Sequence, residues 1–88
     1  MVSRNIHEPR AILPLSLVTA GESAEVVELQ EQGVVRQRLT EMGVTPGATL
    51  RVVRADETGA MIIAVREDAR LAVGRSTARK LLVRLTGA

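Results

Sequence analysis

The chain has 88 residues, with 12 basic and 10 acidic side chains for a formal net charge of +2, an apolar share of 45%, and neither an aromatic residue nor a cysteine. That length suits one small domain with a thin core, because a domain of this size buries only about 60–65% of its unfolded surface. The missing aromatics exclude stacking platforms for single-stranded nucleic acid and aromatic-lined polyproline grooves, and the missing cysteines exclude disulfides, thiolate metal sites and thiol nucleophiles.

The pI near 10.4 overstates the basic character. Eleven of the basic residues are arginine, and almost nothing titrates between the carboxylates and Lys80 except His7 and the amino terminus. Acids are interleaved with the arginines, unlike the concentrated basic stripe of a nucleic-acid binder. No apolar run approaches the roughly 18–20 residues of a membrane-spanning helix, and the first ten residues have no apolar stretch of signal-peptide type. A cytoplasmic location is therefore expected.

Residues 1–12, with Asn5, His7, Glu8, Pro9 and Arg10, carry little apolar pattern and read as a loose arm. The folded unit is expected over residues 13–88. Leu15, Leu17 and Val18 lead into a turn signal at Thr19-Ala20-Gly21, and Ala24 to Leu29 is rich in β-branched residues, which predicts a first strand. Gln32-Gly33 ends it. Val35, Leu39 and Met42 then recur at i, i+4 and i+7, one apolar stripe of a short helix flanked by Arg36 and Arg38. Gly43 suits the left-handed residue that closes a helix, with Val44 packing back on Leu39, and Pro46-Gly47 forms the middle of a type II turn.

Ala48 to Ala55 predicts a second strand, Asp56 to Gly59 a turn, and Ala60 to Arg66 a third strand with Met61, Ile63 and Val65 on one face. Glu67-Asp68 make another turn. Ala69 to Val73 is a fourth strand stopped by Gly74, Ser76 caps one short helical turn, and Leu81, Val83 and Leu85 alternate in a last strand. The fold class is thus mainly β: a small SH3-like barrel of about five strands with one short inserted helix and a short helical turn, closed so that no sheet edge stays open. The alternative is a three-stranded α+β sandwich.

Three segments resemble the FeoA family. Leu15 to Gly21 is similar to an opening L-S-x-L-x-x-G. Arg36-Gln37-Arg38-Leu39-Thr40-Glu41-Met42-Gly43-Val44-Thr45-Pro46-Gly47 matches R-x-R-L-x-x-[LM]-G-[LIV]-x-P-G. Arg70 to Val73, through Ala78 to Leu81-Leu82-Val83, resembles the last hairpin and short helix. The likeness covers residues 13–85, with Glu67-Asp68 standing where relatives often have glycine. It implies an SH3-like barrel, and it implies a protein partner rather than a reaction: FeoB, a membrane ferrous-iron permease carrying a cytosolic GTPase domain.

No residue set for catalysis is visible. The one histidine, His7, excludes a Ser–His–Asp arrangement in the folded part, and no phosphate-cradling loop occurs, since no Lys-Ser/Thr follows Gly43 and Gly47. A metal site needs several ligands held in geometry, so His7 beside Glu8 reads as solvated, as do the acidic pairs Asp56-Glu57 and Glu67-Asp68 in their turns. No metal or cofactor is expected beyond weak, adventitious divalent-cation binding. Met42 and Met61 read as core filler. Arginine is enriched at protein interfaces, and Arg36 and Arg38 with Gly43, Val44 and Pro46 form the candidate contact patch. Two other functions remain open. One is a metal-sensing barrel like the carboxy-terminal domain of iron-dependent repressors, although 88 residues leave no room for a winged helix. The other is a small nucleic-acid-binding barrel with a steep salt dependence.

Overall fold

The computed structural model of the chain describes residues 11–57, 59–66 and 69–86. Six strands, β1 (Ile12–Pro14), β2 (Ser23–Leu29), β3 (Thr49–Ala55), β4 (Met61–Ala64), β5 (Arg70–Val73) and β6 (Leu81–Leu85), alternate with helices α1 (Gly33–Glu41) and α2 (Arg75–Arg79) and a 3-10 turn at Leu15–Leu17. All strand pairs are antiparallel, in the order β1-β6-β2-β3-β4-β5. His7, the rest of residues 1–10 and the Glu67-Asp68 turn lie outside the described residues.

Each strand presents one face to a single core. Ala24, Val26 and Leu29 of β2, Leu50 and Val52 of β3, Met61 and Ile63 of β4, Val73 of β5, and Leu81 and Val83 of β6 are all buried in the same cluster. A sheet whose inner face meets itself in one cluster has to curve, and two irregularities supply the bend. Between Val26 and Glu28 the pairing with β6 shifts by one residue, and between Val52 and Arg54 the pairing with β4 does the same. Strict alternation would turn Glu28 inward after Val26 and Arg54 inward after Val52. The extra residue in each strand instead leaves both charges exposed and brings Leu29 and Ala55 onto the core.

The mainly β class and SH3-like architecture hold, with corrections. Among the described residues there are six strands, because Ile12, expected in the arm, pairs with Arg84, and Leu13 and Pro14 continue the ladder to β6. The sheet is not closed by a ladder: β1 and β5 are its edges. They stay short, one ends in proline, which cannot donate to a ladder, and the other begins with arginine, so both are poor templates for further pairing. The third strand stops at Ala64, although Val65 remains buried beyond it. Ser76 does not cap α2. Gly74 occupies that position, with its carbonyl accepting from the Ala78 N–H at 2.9 Å, and Ser76 lies inside the helix.

Helix α1 departs most from expectation. Val35 and Met42 are 43% and 37% exposed, and Leu39 is the only buried residue of the helix. The predicted three-residue stripe shrinks to a single anchor, because nine residues tethered at both ends touch the barrel along one turn only.

Candidate functional site

Helix α1 is a poor helix by local rules. It opens at Gly33 with φ +61°, no side chain caps its start, its first turn has no acidic residue, and two β-branched valines follow. Two devices fix it. At its start, Arg36 Nη1 donates to the Leu29 carbonyl at 2.6 Å and reaches the Glu31 carbonyl at 3.5 Å, tying the helix to the end of β2. At its end, the Gly43 N–H donates to the Thr40 carbonyl at 3.0 Å and the Val44 N–H to the Leu39 carbonyl at 2.9 Å. That pair of bonds is the Schellman ending read from the sequence, with Gly43 at φ +98°.

The next turn is type II as expected: the Ala48 N–H donates to the Thr45 carbonyl at 2.9 Å, with Gly47 at φ +93° in the third position. The Gly47 N–H and the Val26 carbonyl then meet at 2.8 Å, and Val26 N–H donates to the Ala48 carbonyl at 2.8 Å. The helix–turn unit is thereby sewn to the middle of β2.

The five residues proposed as a contact patch separate into two kinds. Val44 is 1% exposed and belongs to the core, so its side chain is withdrawn as a contact. Arg36 spends its guanidinium on backbone carbonyls. Gly43 serves the helix end and carries the Arg66 side chain above it: a Cβ built on Gly43 would lie 3.0 Å from Arg66 Nη2. Arg38 and Pro46 are exposed. Around them the structure adds Val34, 65% exposed, together with Val35 and Met42. These are apolar side chains that a helix devoted to the core would have turned inward.

Some residues carry roles that periodicity could not announce. Glu31 is buried to 9% exposure, its Oε2 accepting from the Thr77 hydroxyl at 2.7 Å and its Oε1 lying 3.9 Å from Lys80 Nζ. It thus joins the lead-in of α1 to α2, across 46 residues of sequence. Arg75 donates from Nη1 to the Ser16 carbonyl at 3.2 Å and from Nη2 to the Asp56 carbonyl, clasping the 3-10 turn and the β3–β4 loop. Met61 is fully buried, as core filler should be, whereas Met42 is not. Among the described residues, no group of three or more His, Cys, Asp or Glu side chains is placed to hold a metal ion, and no helix is long and apolar enough to cross a membrane.

This geometry has close counterparts. The chain is 33% identical over 70 residues, 80% of its length and 83% of the relative's, to a Methanocaldococcus jannaschii protein provisionally named Fe(2+) transport protein A. A crystal structure described as the iron uptake regulatory protein FeoA superposes with a TM-score of 0.75 at 36% identity, covering 85% of this chain and 97% of that one. The zinc complex of Stenotrophomonas maltophilia FeoA, described as a procaryotic SH3 domain protein, gives a TM-score of 0.70 at 25% identity over 81% of this chain and 88% of that one. A manganese-dependent transcriptional repressor shares the fold alone, at 18% identity and a TM-score of 0.74 over 41% of its own chain. Residues 13–85 match the family model of the FeoA domain, and the chain belongs to that family.

Proposed function

We propose that the protein is a non-catalytic accessory of ferrous-iron uptake, working at the cytoplasmic face by binding the cytosolic part of an FeoB-type permease. The observation that carries the reading is the display of α1, a helix with one buried residue, where Val34, Val35 and, at the cap that follows it, Met42 stand exposed beside Arg38. Met and Arg are enriched at protein contacts, and the buried centre of a contact is more apolar than its rim. Family membership supports the choice of pathway. So do the relatives' names, an Fe(2+) transport protein and a protein described as a candidate ferrous-iron transport activating factor. Arg38 and Pro46 stay in the contact patch, joined by Val34, Val35 and Met42, while Arg36, Gly43 and Val44 give that patch its shape. Iron is cargo of the partner in this reading.

The test pairs genetics with binding. Deleting the gene should impair ferrous-iron uptake, and Val34→Ser combined with Arg38→Glu should weaken binding to the permease's cytosolic part at least tenfold while the far-UV circular dichroism stays that of the parent. Binding should also weaken as salt rises, because the Debye length shrinks below about 10 Å above 0.1 M. Normal uptake in the deletion strain rejects the function. Normal binding by the double variant rejects α1 as the contact.

A further inference from the structure

A second charged feature lies on the outer face of the sheet. The ladder places Ser23 opposite Arg51, Arg51 opposite Ala64, and Ala64 opposite Arg70, so one row crosses four strands from β2 to β5. Ala64 is the only apolar residue in that row, and its methyl group separates two long arginines whose strands lie two sheet spacings, roughly 10 Å, apart. The result is a shallow depression of about 320 Å³ whose lining includes Arg51, Arg66, Arg70, Ser23 and Thr49.

Among the other described arginines four are engaged, whereas Arg38 and Arg79 stand as unpaired as these three, which are set apart by sharing one depression. Arg36 and Arg75 hold backbone carbonyls, Arg54 pairs with Asp56 at 3.5 Å, and Arg84 pairs with Glu25 at 3.8 Å. Arg51, Arg66 and Arg70 make no hydrogen bond or ion pair among the described residues. Glu25 is the next acidic residue on that face of β2, and it is turned to Arg84. Three arginines bordering one depression, whose lining among the described residues includes no acidic side chain, together with Ser23 and Thr49, make a recognition set for oxyanions, since the guanidinium fork matches a carboxylate two bonds at a time. Arg66 also lies over Gly43, which makes the depression continuous with the end of α1.

We propose that this depression docks an extended acidic segment of a protein partner, a stretch with carboxylates at alternate positions. The inference rests on the reading that the protein works through a partner, and it adds the chemistry of what that partner presents. The span of the row favours an acidic segment over a free oxyanion. Arginines on strands roughly 10 Å apart offer separate contact points, and alternate side chains of an extended chain, about 6.8 Å apart on one side, can meet two of them at once. The open, shallow shape suits a chain laid across it more than a metabolite enclosed in it.

The experiment titrates the full isotope-labelled chain with the hexapeptide Glu-Ser-Glu-Ser-Glu-Ser, with its Lys-for-Glu counterpart, and with inorganic phosphate. The acidic peptide should give saturable shifts at the side chains of Arg51, Arg66 and Arg70 and at the amides of Ser23 and Ala64. Arg51→Glu with Arg70→Glu should weaken it at least tenfold, Arg51→Lys with Arg70→Lys only a few-fold, and the basic peptide should leave these signals unmoved. Shifts spread evenly over Arg38, Arg54 and Arg79, unchanged affinity in the charge reversal, or phosphate binding the same residues as tightly as the peptide would each overturn the proposal. The isolated-chain titration also separates this failure from failure of the uptake function: a strain carrying the charge reversal that takes up iron normally rejects the acidic dock and leaves the permease reading intact.

Discussion

Gly43 allows the energetics of the helix–turn unit to be tested term by term. A side chain there meets two obstacles: the backbone at φ +98°, and the Arg66 guanidinium 3.0–3.3 Å from the added Cβ. The backbone obstacle is intrinsic to L-residues and costs about 1–2 kcal/mol for alanine. It rises to about 3 kcal/mol for a β-branched residue such as valine. The second obstacle is small. Arg66 is exposed, and its guanidinium is the far end of a flexible chain that gives way by a few tenths of an ångström, which keeps the cost within about 0.5 kcal/mol. Against a total stability of about 5 kcal/mol for so small a domain, Gly43→Ala should lower the melting temperature by roughly 6–12 °C. It should lower the urea midpoint by about 1–2 M. The chain has no Trp, Tyr or Phe, so the transition has to be followed by far-UV circular dichroism rather than intrinsic fluorescence. Adding Arg66→Ala to Gly43→Ala should restore no more than about 0.5 kcal/mol. Full recovery in the double variant would show that crowding, not backbone conformation, reserves the position for glycine, and an unchanged midpoint in Gly43→Ala would refute both terms.

Leu39→Ala removes the one buried side chain of α1 and should cost about 2–3 kcal/mol by urea denaturation; a midpoint unchanged within error would deny that Leu39 anchors the helix. Arg36→Met keeps an unbranched apolar stem but strips the charged donor from the Leu29 carbonyl, for an expected loss of about 1–2 kcal/mol, and parental stability would mean that water replaces the bond freely. Glu31→Gln keeps an acceptor for Thr77 and should stay within about 0.5 kcal/mol of the parent, while Glu31→Ala should lose about 1–2 kcal/mol. Equal losses would transfer the effect to the 3.9 Å pair with Lys80, whose half-exposed ammonium is expected to add little. Native-state hydrogen exchange should find the α1 amides opening before those of β2 and β6, since local rules and burial both leave that helix weak; simultaneous opening would contradict it.

The sequence made the turn chemistry plain. Gly43, Val44, Pro46 and Gly47 were assigned their places from local rules, and the Schellman bonds and type II turn are found there. Alternation placed Met61, Ile63 and Val65 inward and located β3 to β6 to within a few residues, because strands buried on one face write that face into their composition. What periodicity missed depends on distant partners. β1 is three residues long, too short to alternate, and exists because β6 offers a free edge to Leu13. The α1 stripe misled because helical spacing shows which residues share a face and not what lies opposite that face. In the candidate site, Arg38 and Pro46 were legible as exposed residues. The clasping by Arg36 and the burial of Glu31 were not, since each depends on carbonyls or hydroxyls that only the folded chain brings near. The row formed by Arg51, Ala64 and Arg70 likewise needs the strand register.

The two extra residues, in β2 and β3, act as phase slips, and they change what a mutation means at each end of these strands. Before the slip, odd and even positions carry one assignment of inside and outside; after it, the assignment is reversed. Substituting Val27 or Val53 alters one half-buried side chain. Deleting either would instead reset the frame downstream, swinging Glu28 or Arg54 into the core and Leu29 or Ala55 out to water. These strands therefore tolerate spelling changes far better than changes of length. The Arg51 row, which begins at Ser23, and the tether of Arg36 on Leu29 stand on opposite sides of the β2 slip, so the spacing between the basic depression and the displayed helix is held by the one extra residue of β2.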